Sequence, residues 1–325
     1  MGKVNKVRQT CLYLTNRCNL QCSYCSITKN LKGVDLSFEQ ICKVLTIIKE
    51  IVKPELLVLF GGEPLIRDDI EYIVDEVNRL GFEYTLITNG SIDKERTIKK
   101  LKGLTLSIDR PESFIDGTDE RVKSNWAMLR KYKDIVPDLV ANITVTHENV
   151  DMLDEIVDKL NELDVWVIFG YVHSTRNENE KAMFRSYCPK LTINADDLQT
   201  FKKVFYKAKK RHNTKAYVEE FGKYFNQMDW HCRLNPRNPE YMTIANNGLL
   251  LACNDHWGSR VTNYTIFQLP TIGMENWSEL CKQDREECGL QCFFNHELNL
   301  AYPDENSLVH KCDSSIPFVD RKKSV

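Results

Sequence analysis

Three cysteines near the start of the chain, Cys18, Cys22 and Cys25, have the spacing CX3CX2C. Thiolates on one short loop can bind one metal centre, but three of them cannot supply the four ligands that tetrahedral zinc normally takes. A [4Fe-4S] cluster is normally held by four cysteines, so three ligands leave one iron open to bind a reactant. The loop therefore predicts a reactive iron-sulfur cluster. Zinc with a distant fourth ligand and a chance spacing are the alternatives.

A second group of cysteines occupies the last hundred residues. The chain has 12 cysteines and its first residues contain no apolar signal segment. Reducing compartments disfavour structural disulfides, so grouped cysteines there indicate metal or thiol chemistry. The second group comprises Cys232, Cys253, Cys281, Cys288, Cys292 and Cys312. The isolated Cys11, Cys42 and Cys188 are predicted to be small buried apolar residues.

Size and charge limit the classes of protein that the chain can represent. Its 325 residues exceed the usual length of one domain, which favours one large α/β domain with a smaller appendage. The 44 Lys and Arg residues nearly balance the 46 Asp and Glu residues, so no global positive field favours nucleic acid. No apolar run approaches the roughly 18 residues needed to cross a bilayer. We therefore expect a cytoplasmic protein without a nucleic-acid or membrane partner.

Short apolar runs alternate with amphipathic stretches up to about residue 170, which is typical of βα units around a parallel sheet. The predicted strands are Val7 to Leu14, Leu56 to Phe60, Glu83 to Thr88, Leu104 to Ile108, Leu139 to Val145 and Val165 to Tyr171. Helices are predicted near residues 37–52, 68–80, 93–101, 121–133 and 149–162, with a basic helix over 196–212. Functional groups of parallel α/β folds follow the carboxyl ends of strands, where the unusual loops of this chain also fall.

Three segments resemble the radical S-adenosylmethionine (radical SAM) family. The sequence LTNRCNLQCSYC at 14–25 resembles its signature loop, GGEP at 61–64 its second motif, and SID at 107–109 its fourth-strand motif. The resemblance implies an α/β fold, a partial (β/α)6 barrel, in which S-adenosylmethionine binds the open iron through its amino and carboxylate groups. A flavodoxin- or ferredoxin-type donor would reduce the cluster. Cleavage of the sulfonium would then yield a 5′-deoxyadenosyl radical that removes a substrate hydrogen atom.

The same resemblance assigns cofactor contacts to seven residues. Adjacent glycines let backbone approach a ligand closely, and a carboxylate can accept hydrogen bonds from an ammonium group. Tyr24 would pack on adenine, and an arginine would bind the methionine carboxylate through both nitrogens. The expected contacts are Tyr24, Gly61, Gly62, Glu63, Asn89, Ser107 and Arg121. A plain turn and an ordinary rim aromatic are the structural alternatives, and Arg110 stands where the family often has glycine.

The C-terminal cysteines resemble the SPASM and twitch extensions of this family. The segment 248–253 fits GX4C, with Cys232 before it and Cys288 and Cys292 after it. In those extensions a β-hairpin and a short helix hold auxiliary clusters. Six thiolates cannot fully ligate two four-iron clusters, so we expect one auxiliary [4Fe-4S] cluster on Cys232, Cys253, Cys288 and Cys292. A structural zinc site is the alternative.

Two cysteines of that group remain unassigned, Cys281 and Cys312. Either is a candidate hydrogen-atom donor to a substrate radical, a replacement cluster ligand or a buried structural residue. The expected division of the chain is a barrel with its following helix over 1–215 and a small cysteine-rich extension with a tail over 216–325.

The leading functional hypothesis is radical modification of a peptide by epimerisation or cross-linking, because the SPASM resemblance is commonest in such enzymes. Only about seven residues precede the first strand, which leaves no room for a leader-recognition domain and speaks against it. The alternative is a dehydrogenase or epimerase of a sugar, aminocyclitol or similar small molecule. A non-enzymatic electron-transfer or zinc-scaffold protein is the weakest hypothesis, because it leaves GGEP unexplained.

Overall fold

The computed structural model describes residues 7–25, 27, 33–113, 120–172, 191, 193–215, 218–219, 241–251 and 263–286. In this part of the chain eight strands form one sheet. They are β1 (Gln9–Thr15), β2 (Leu56–Gly61), β3 (Tyr84–Thr88), β4 (Gly103–Ser107), β5 (Asp138–Val145), β6 (Trp166–Tyr171), β7 (Tyr241–Ile244) and β8 (Leu250–Leu251). The six predicted strands are thus confirmed to within two residues at each end.

The order of strands across the sheet is β6-β5-β4-β3-β2-β1-β7-β8. Strands β1 to β6 are parallel to their neighbours, β7 is parallel to β1, and β8 is antiparallel to β7. Parallel neighbours need crossover connections, which helices usually supply. The α/β class and the mostly parallel sheet of a partial barrel are therefore confirmed. The pair β7 and β8 extends this sheet at the edge formed by β1.

The first six helices occupy the intervals that the periodicity predicts, whereas the last two, after residue 268, were not predicted. They are α1 (Phe38–Ile47, followed by a π-helical turn at Ile48–Val52), α2 (Ile70–Arg79), α3 (Glu95–Ile98), α4 (Glu120–Tyr132), α5 (Leu153–Glu162), α6 (Ala195–Lys207), α7 (Leu269–Ile272) and α8 (Met274–Glu286). The capping box at the start of α1, formed by Ser37 and Gln40, is also present. Within the described residues no helix has the length and apolarity that a bilayer crossing requires.

The basic helix is shorter than predicted. It ends at Lys207, and Ala208 adopts an extended ψ of 114°. The chain then runs beside β6, where the His212 N–H donates to the Val167 carbonyl at 2.9 Å. Pairing with an open sheet edge satisfies backbone groups that one further helical turn would otherwise satisfy.

The two faces of the sheet differ in packing. Successive side chains of a strand point to opposite faces, so each strand contributes alternate residues to each face. The outer face packs on the helices: Leu59, Leu86 and Leu104 are fully buried in one core with Ile41 and Ile73. The opposite, inner face carries half-exposed residues along β3, β5 and β6. The hydrophobic core therefore lies between sheet and helices.

Candidate functional site

The three cysteines of the CX3CX2C loop follow β1 at the carboxyl end of the sheet. All three are half-buried and none is in a disulfide. The Cys25 N–H donates to the Cys22 carbonyl at 3.1 Å, which forms a turn between them. The Cys18 sulfur accepts from the Leu20 N–H at 3.4 Å and from Asn89 Nδ2 at 3.7 Å. Burial raises the pKa of the Cys18 thiol.

The donor set of this loop fits an iron-sulfur cluster. Cysteine thiolates are the usual ligands of four-iron clusters, and hydrogen bonds to their sulfurs tune the cluster. The Leu20 and Asn89 donors supply such bonds to Cys18. Within the described residues no three His, Cys, Asp or Glu side chains surround a point at which a single metal ion would sit. In a four-iron cluster each thiolate binds a different iron.

The glycine pair of GGEP lies against the backbone of the cysteine loop. The Gly62 N–H donates to the Thr15 carbonyl at 2.8 Å. A Cβ at Gly61 would lie 2.3 Å from the Thr15 oxygen, and a Cβ at Gly62 would lie 2.0 Å from the Arg17 oxygen. Real Cβ atoms do not approach backbone so closely, so both positions require glycine. The structure therefore gives these glycines a partner that sequence reasoning missed, the cysteine loop.

Glu63 links the ends of three strands. Its carboxylate is fully buried and accepts hydrogen bonds from the Leu65 N–H at 2.9 Å, the Thr88 hydroxyl at 2.8 Å and the Asn89 N–H at 2.8 Å. The Glu63 N–H in turn donates to the Arg17 carbonyl at 2.9 Å. Burial raises the pKa of Glu63, and the three hydrogen bonds oppose that rise only in part. Glu63 thus holds Asn89 where its amide reaches Cys18.

Asp35 is a functional candidate that the sequence analysis did not select. Its carboxylate accepts from the Thr15 hydroxyl at 2.6 Å, the Asn16 N–H at 3.0 Å, Arg17 Nε at 3.4 Å and Asn246 Nδ2 at 2.9 Å. Burial by itself would raise the pKa of Asp35, but these four partners together hold it below its usual value. One carboxylate therefore anchors the first residues of the cysteine loop to the turn between β7 and β8.

Arg67, four residues after Glu63, anchors the end of β1. Its guanidinium is buried and donates to the Leu14 carbonyl at 2.7 Å and the Leu36 carbonyl at 3.1 Å. Two further bonds, of 2.8 and 2.6 Å, pair it with the Asp69 carboxylate. The planar fork of arginine suits such paired acceptors. Neither Asp35 nor Arg67 belongs to a recognisable motif, so no local signal marks them.

A cavity of about 130 Å³ opens beside the cysteine loop at the ends of β4 and β5. Its lining consists of Cys22, Ser23, Tyr24, Ile108, Asp109, Arg110, Asn125, Trp126, Thr146, Glu148 and Asn149. The Tyr24 hydroxyl donates to the Asp109 carboxylate, which also accepts from the Thr144 N–H at 2.8 Å. The aromatic residue of the loop is thereby fixed against the strand ends. Cys22 itself forms part of the wall of the cavity.

Structure places the other predicted residues as follows. Ser107 ends β4 and is half-exposed, and Arg110, whose role the sequence left open, lines the cavity. The backbone of Arg121 belongs to α4, and its side chain lies outside the described residues. Cys281 is 1 % exposed on α8, in the hydrophobic core, and it is not among the residues that line the cavity.

Five of the predicted C-terminal residues, Cys232, Cys253, Cys288, Cys292 and Cys312, lie outside the described residues. The auxiliary cluster and the division of the chain at residue 215 therefore stay predictions. Ahead of Cys253, the pairing of β7 with β8 forms an antiparallel hairpin.

Comparison with known protein families identifies the superfamily of this chain. The sequence profile of the Radical SAM superfamily matches residues 12–186, more than half of the chain. This chain belongs to the radical SAM superfamily.

Solved structures of other proteins share the fold. The Streptococcus suis protein SuiB, in its structure bound to precursor peptide SuiA, superposes with a TM-score of 0.65 at 16% identity, over 91% of this chain and 73% of that one. The protein anSMEcpe with bound AdoMet gives a TM-score of 0.58 at 16% identity, over 89% and 94%. Its complex with AdoMet and the Cp18Cys peptide gives 0.58 at 15% identity, with the same coverage.

Proposed function

We propose that this radical SAM protein is an enzyme that cleaves S-adenosylmethionine reductively and removes a hydrogen atom from a peptide, epimerising or cross-linking it. The observation that carries the proposal is the rim at the carboxyl end of β1. There, three half-buried cysteines, none in a disulfide, lie on one loop, and Cys22 of that loop lines a cavity of about 130 Å³. A cluster held by three cysteines keeps one iron for a reactant, and the cavity gives that reactant a place.

In this proposal Cys18, Cys22 and Cys25 hold the cluster. When bound and reduced, the cluster supplies the electron that cleaves the sulfonium and so generates the 5′-deoxyadenosyl radical. The residues of the chain orient the cofactor: Tyr24, fixed by Asp109, lines the space for adenosine. The remaining contacts are assigned to Gly61, Gly62, Glu63, Asn89, Ser107 and Arg121. A flavodoxin- or ferredoxin-type protein supplies the electron.

The peptide substrate rests on the fold neighbours. SuiB is seen with a precursor peptide, and anSMEcpe is seen with a peptide together with AdoMet. At identities of 15 to 16%, these superpositions establish a shared fold alone. The peptide substrate is therefore an inference, and the tests must distinguish it from a small-molecule substrate. One auxiliary cluster on Cys232, Cys253, Cys288 and Cys292 belongs to the same proposal, as the acceptor of the substrate's electron or as a wall of its site.

The experiment is anaerobic purification followed by iron analysis and an assay for 5′-deoxyadenosine. The protein should be brown, hold about eight irons in two four-iron clusters, and release 5′-deoxyadenosine when reduced with the cofactor. Replacing Cys18, Cys22 and Cys25 together with Ala should abolish release and remove about four irons. The matched control is Cys42→Ala, a half-buried free cysteine of α1, which should change neither quantity. A colourless, zinc-loaded wild-type protein would refute the proposal.

A second experiment separates the possible reactions. Candidate peptides encoded near the gene, and a panel of sugars and aminocyclitols, are incubated with enzyme in D₂O and analysed by mass spectrometry. Epimerisation incorporates one solvent deuterium into a peptide, whereas cross-linking removes two hydrogen atoms. Loss of incorporation in Cys312→Ala or Cys281→Ala identifies the hydrogen-atom donor. Turnover of the small molecules alone would replace the peptide proposal.

A further inference from the structure

The inner face of the sheet borders open space at the carboxyl ends of β4 to β6. On β5, Ile143 and Val145 are fully buried against the helices, whereas Asn142 and Thr144 on the opposite face are half-exposed. The same alternation occurs on β6. A packed interior would cover both faces, so this half-exposure shows that the inner face here is a wall of a space rather than a buried layer.

Four residues make a continuous patch on that wall. Ser107 of β4 pairs in register with Asn142 of β5, and Thr144 of β5 pairs with Gly170 of β6. We call these four residues the polar patch. It reaches the rim, because the Thr144 N–H donates to Asp109, the partner of Tyr24.

The side chains of the polar patch have no hydrogen-bond partner in the described part of the chain. The bonds of Ser107, Asn142 and Thr144 run through backbone atoms: the Ser107 carbonyl accepts from Asn125, the Asn142 carbonyl from Ile108, and Thr144 uses its N–H and carbonyl. Polar groups in protected sites normally have partners. Two hydroxyls and one amide on adjacent strands are therefore available to a bound molecule.

Gly170 marks the space in front of the patch. A Cβ at Gly170 would have no atom of the described residues within 4 Å, in contrast to Gly61 and Gly62, whose Cβ atoms would collide with backbone. Glycine weakens a strand interior and often marks a place where another group approaches closely. A larger residue at 170 would thus fit the fold and fill the space beyond it.

Among the described residues of β4 to β6, the inner face carries no charged side chain at its carboxyl end. The nearest charge is the Asp109 carboxylate at the end of β4, which already accepts from the Thr144 N–H and the Tyr24 hydroxyl. On β4 to β6, this part of the inner face carries Thr105, Ser107, Val140, Asn142, Thr144, Trp166, Ile168 and Gly170. The charged residue that shares this face, Asp138, lies at the opposite, amino end of β5. An ion placed against such a wall loses hydration without gaining a partner of opposite charge, which is costly.

We infer that the part of the substrate that reaches the reacting centre is uncharged and bears hydroxyl or amide groups, which Asn142 and Thr144 bind, while Gly170 leaves room for it. The inference rests on the proposed function and specifies the substrate class of that site. A peptide segment with neutral side chains satisfies this requirement. Ser107, the fourth member of the patch, stays assigned to the cofactor.

The test uses single cysteines as probes of the space. Gly170→Cys lies in the tryptic peptide 160–176, and the exposed Tyr72→Cys control lies in peptide 68–79; neither peptide has a native cysteine. The cluster-loaded variants are treated with methyl methanethiosulfonate, which is neutral, and with its anionic sulfonatoethyl and cationic trimethylammonioethyl analogues. Mass spectrometry follows each peptide. Thr144→Cys, in peptide 134–159, is a second variant that nearly preserves side-chain volume.

The ratio of neutral to charged labelling should be at least about tenfold higher at position 170 than at position 72. Equal ratios would overturn the claim that this wall disfavours a charged group, and no labelling at 170 and 144 beside full labelling at 72 would overturn the open space. Labelling should persist with saturating S-adenosylmethionine. Complete protection would assign the patch to the cofactor and overturn its substrate role. Because labelling needs no turnover, its failure is distinguishable from failure of the proposed function.

Discussion

Asp35 offers the sharpest test of how the fold holds the cysteine loop. Its carboxylate accepts four hydrogen bonds, from Thr15, Asn16, Arg17 and Asn246, and its side chain is only 14% exposed. Asp35→Asn keeps the volume but replaces one oxygen by an NH2 group. Each carboxylate oxygen accepts two of the four bonds. In either orientation of the new amide, its NH2 group therefore faces two hydrogen-bond donors.

The expected loss is about 2 to 3 kcal/mol, because a hydrogen bond to a charged group contributes about 1.5 to 3 kcal/mol and the bonds are not additive. A loss of 2 kcal/mol shifts the equilibrium between held and released loop about 30-fold. Under anaerobic conditions, the rate at which a chelator strips iron from the N-terminal cluster should rise by up to that factor. The assay follows iron release by absorbance, with the proposed auxiliary cluster present in both the wild type and the variant.

The control is Asp75→Asn, which removes an exposed carboxylate of α2 that pairs with Lys100. Exposed ion pairs contribute about 0 to 1 kcal/mol, so chelation should change by less than about fivefold. A wild-type rate in Asp35→Asn would refute the reasoning that this carboxylate anchors the loop. The low pKa of Asp35 adds a pH condition: its stabilising effect is full above the ordinary value near 4 and is lost as pH falls through the lowered value. The difference between the two proteins should thus be constant from pH 5 to 8.

Three further predictions concern the rim. Gly62→Ala places a Cβ 2.0 Å from the Arg17 oxygen. The resulting strain, of about 3 kcal/mol or more, should lower the iron content of the N-terminal cluster. Glu63→Gln turns one acceptor of three buried hydrogen bonds into a donor, which should lower the free energy of unfolding by about 1 to 3 kcal/mol in urea titrations. His147 accepts or donates a 2.7 Å bond with Asp197 that raises the pKa of the imidazole, so Asp197→Asn should lower that pKa toward 6.5 in NMR titrations.

Each of these has a matched comparison. Gly170→Ala adds the same methyl group where no described atom lies within 4 Å, so its iron content should be unchanged. Unchanged iron content in Gly62→Ala as well would contradict the steric argument. Unchanged stability of Glu63→Gln would show that the carboxylate binds no donors. The sign for His147 is that of a raised pKa: its pairing stabilises the fold below the ordinary histidine value and is lost as pH rises through the raised one. A His147 pKa unaffected by Asp197→Asn would exclude the pair.

The amino-acid sequence by itself determined the elements and the chemistry of the rim. Strand and helix periods are local properties, so six strands, the alternating helices and the Ser37 cap agree with the structure. The CX3CX2C spacing likewise lies within eight residues. Because parallel strands bring their carboxyl ends to one edge, the sequence also indicated that Cys18, Glu63 and Asn89 would meet, as their contacts confirm.

Only the tertiary structure decided which residues hold that rim together. Asp35 meets a residue 211 positions away, and a four-residue strand, Tyr241–Ile244, finds its partner in β1. Neither contact leaves a periodic or compositional trace, since a single polar side chain acquires its role from whatever the fold places beside it. The glycine pair of GGEP is the intermediate case: the motif was legible, but the close approach of the Thr15 and Arg17 carbonyls explains it. The polar patch likewise appears only when the register of β4, β5 and β6 aligns alternate residues on one face.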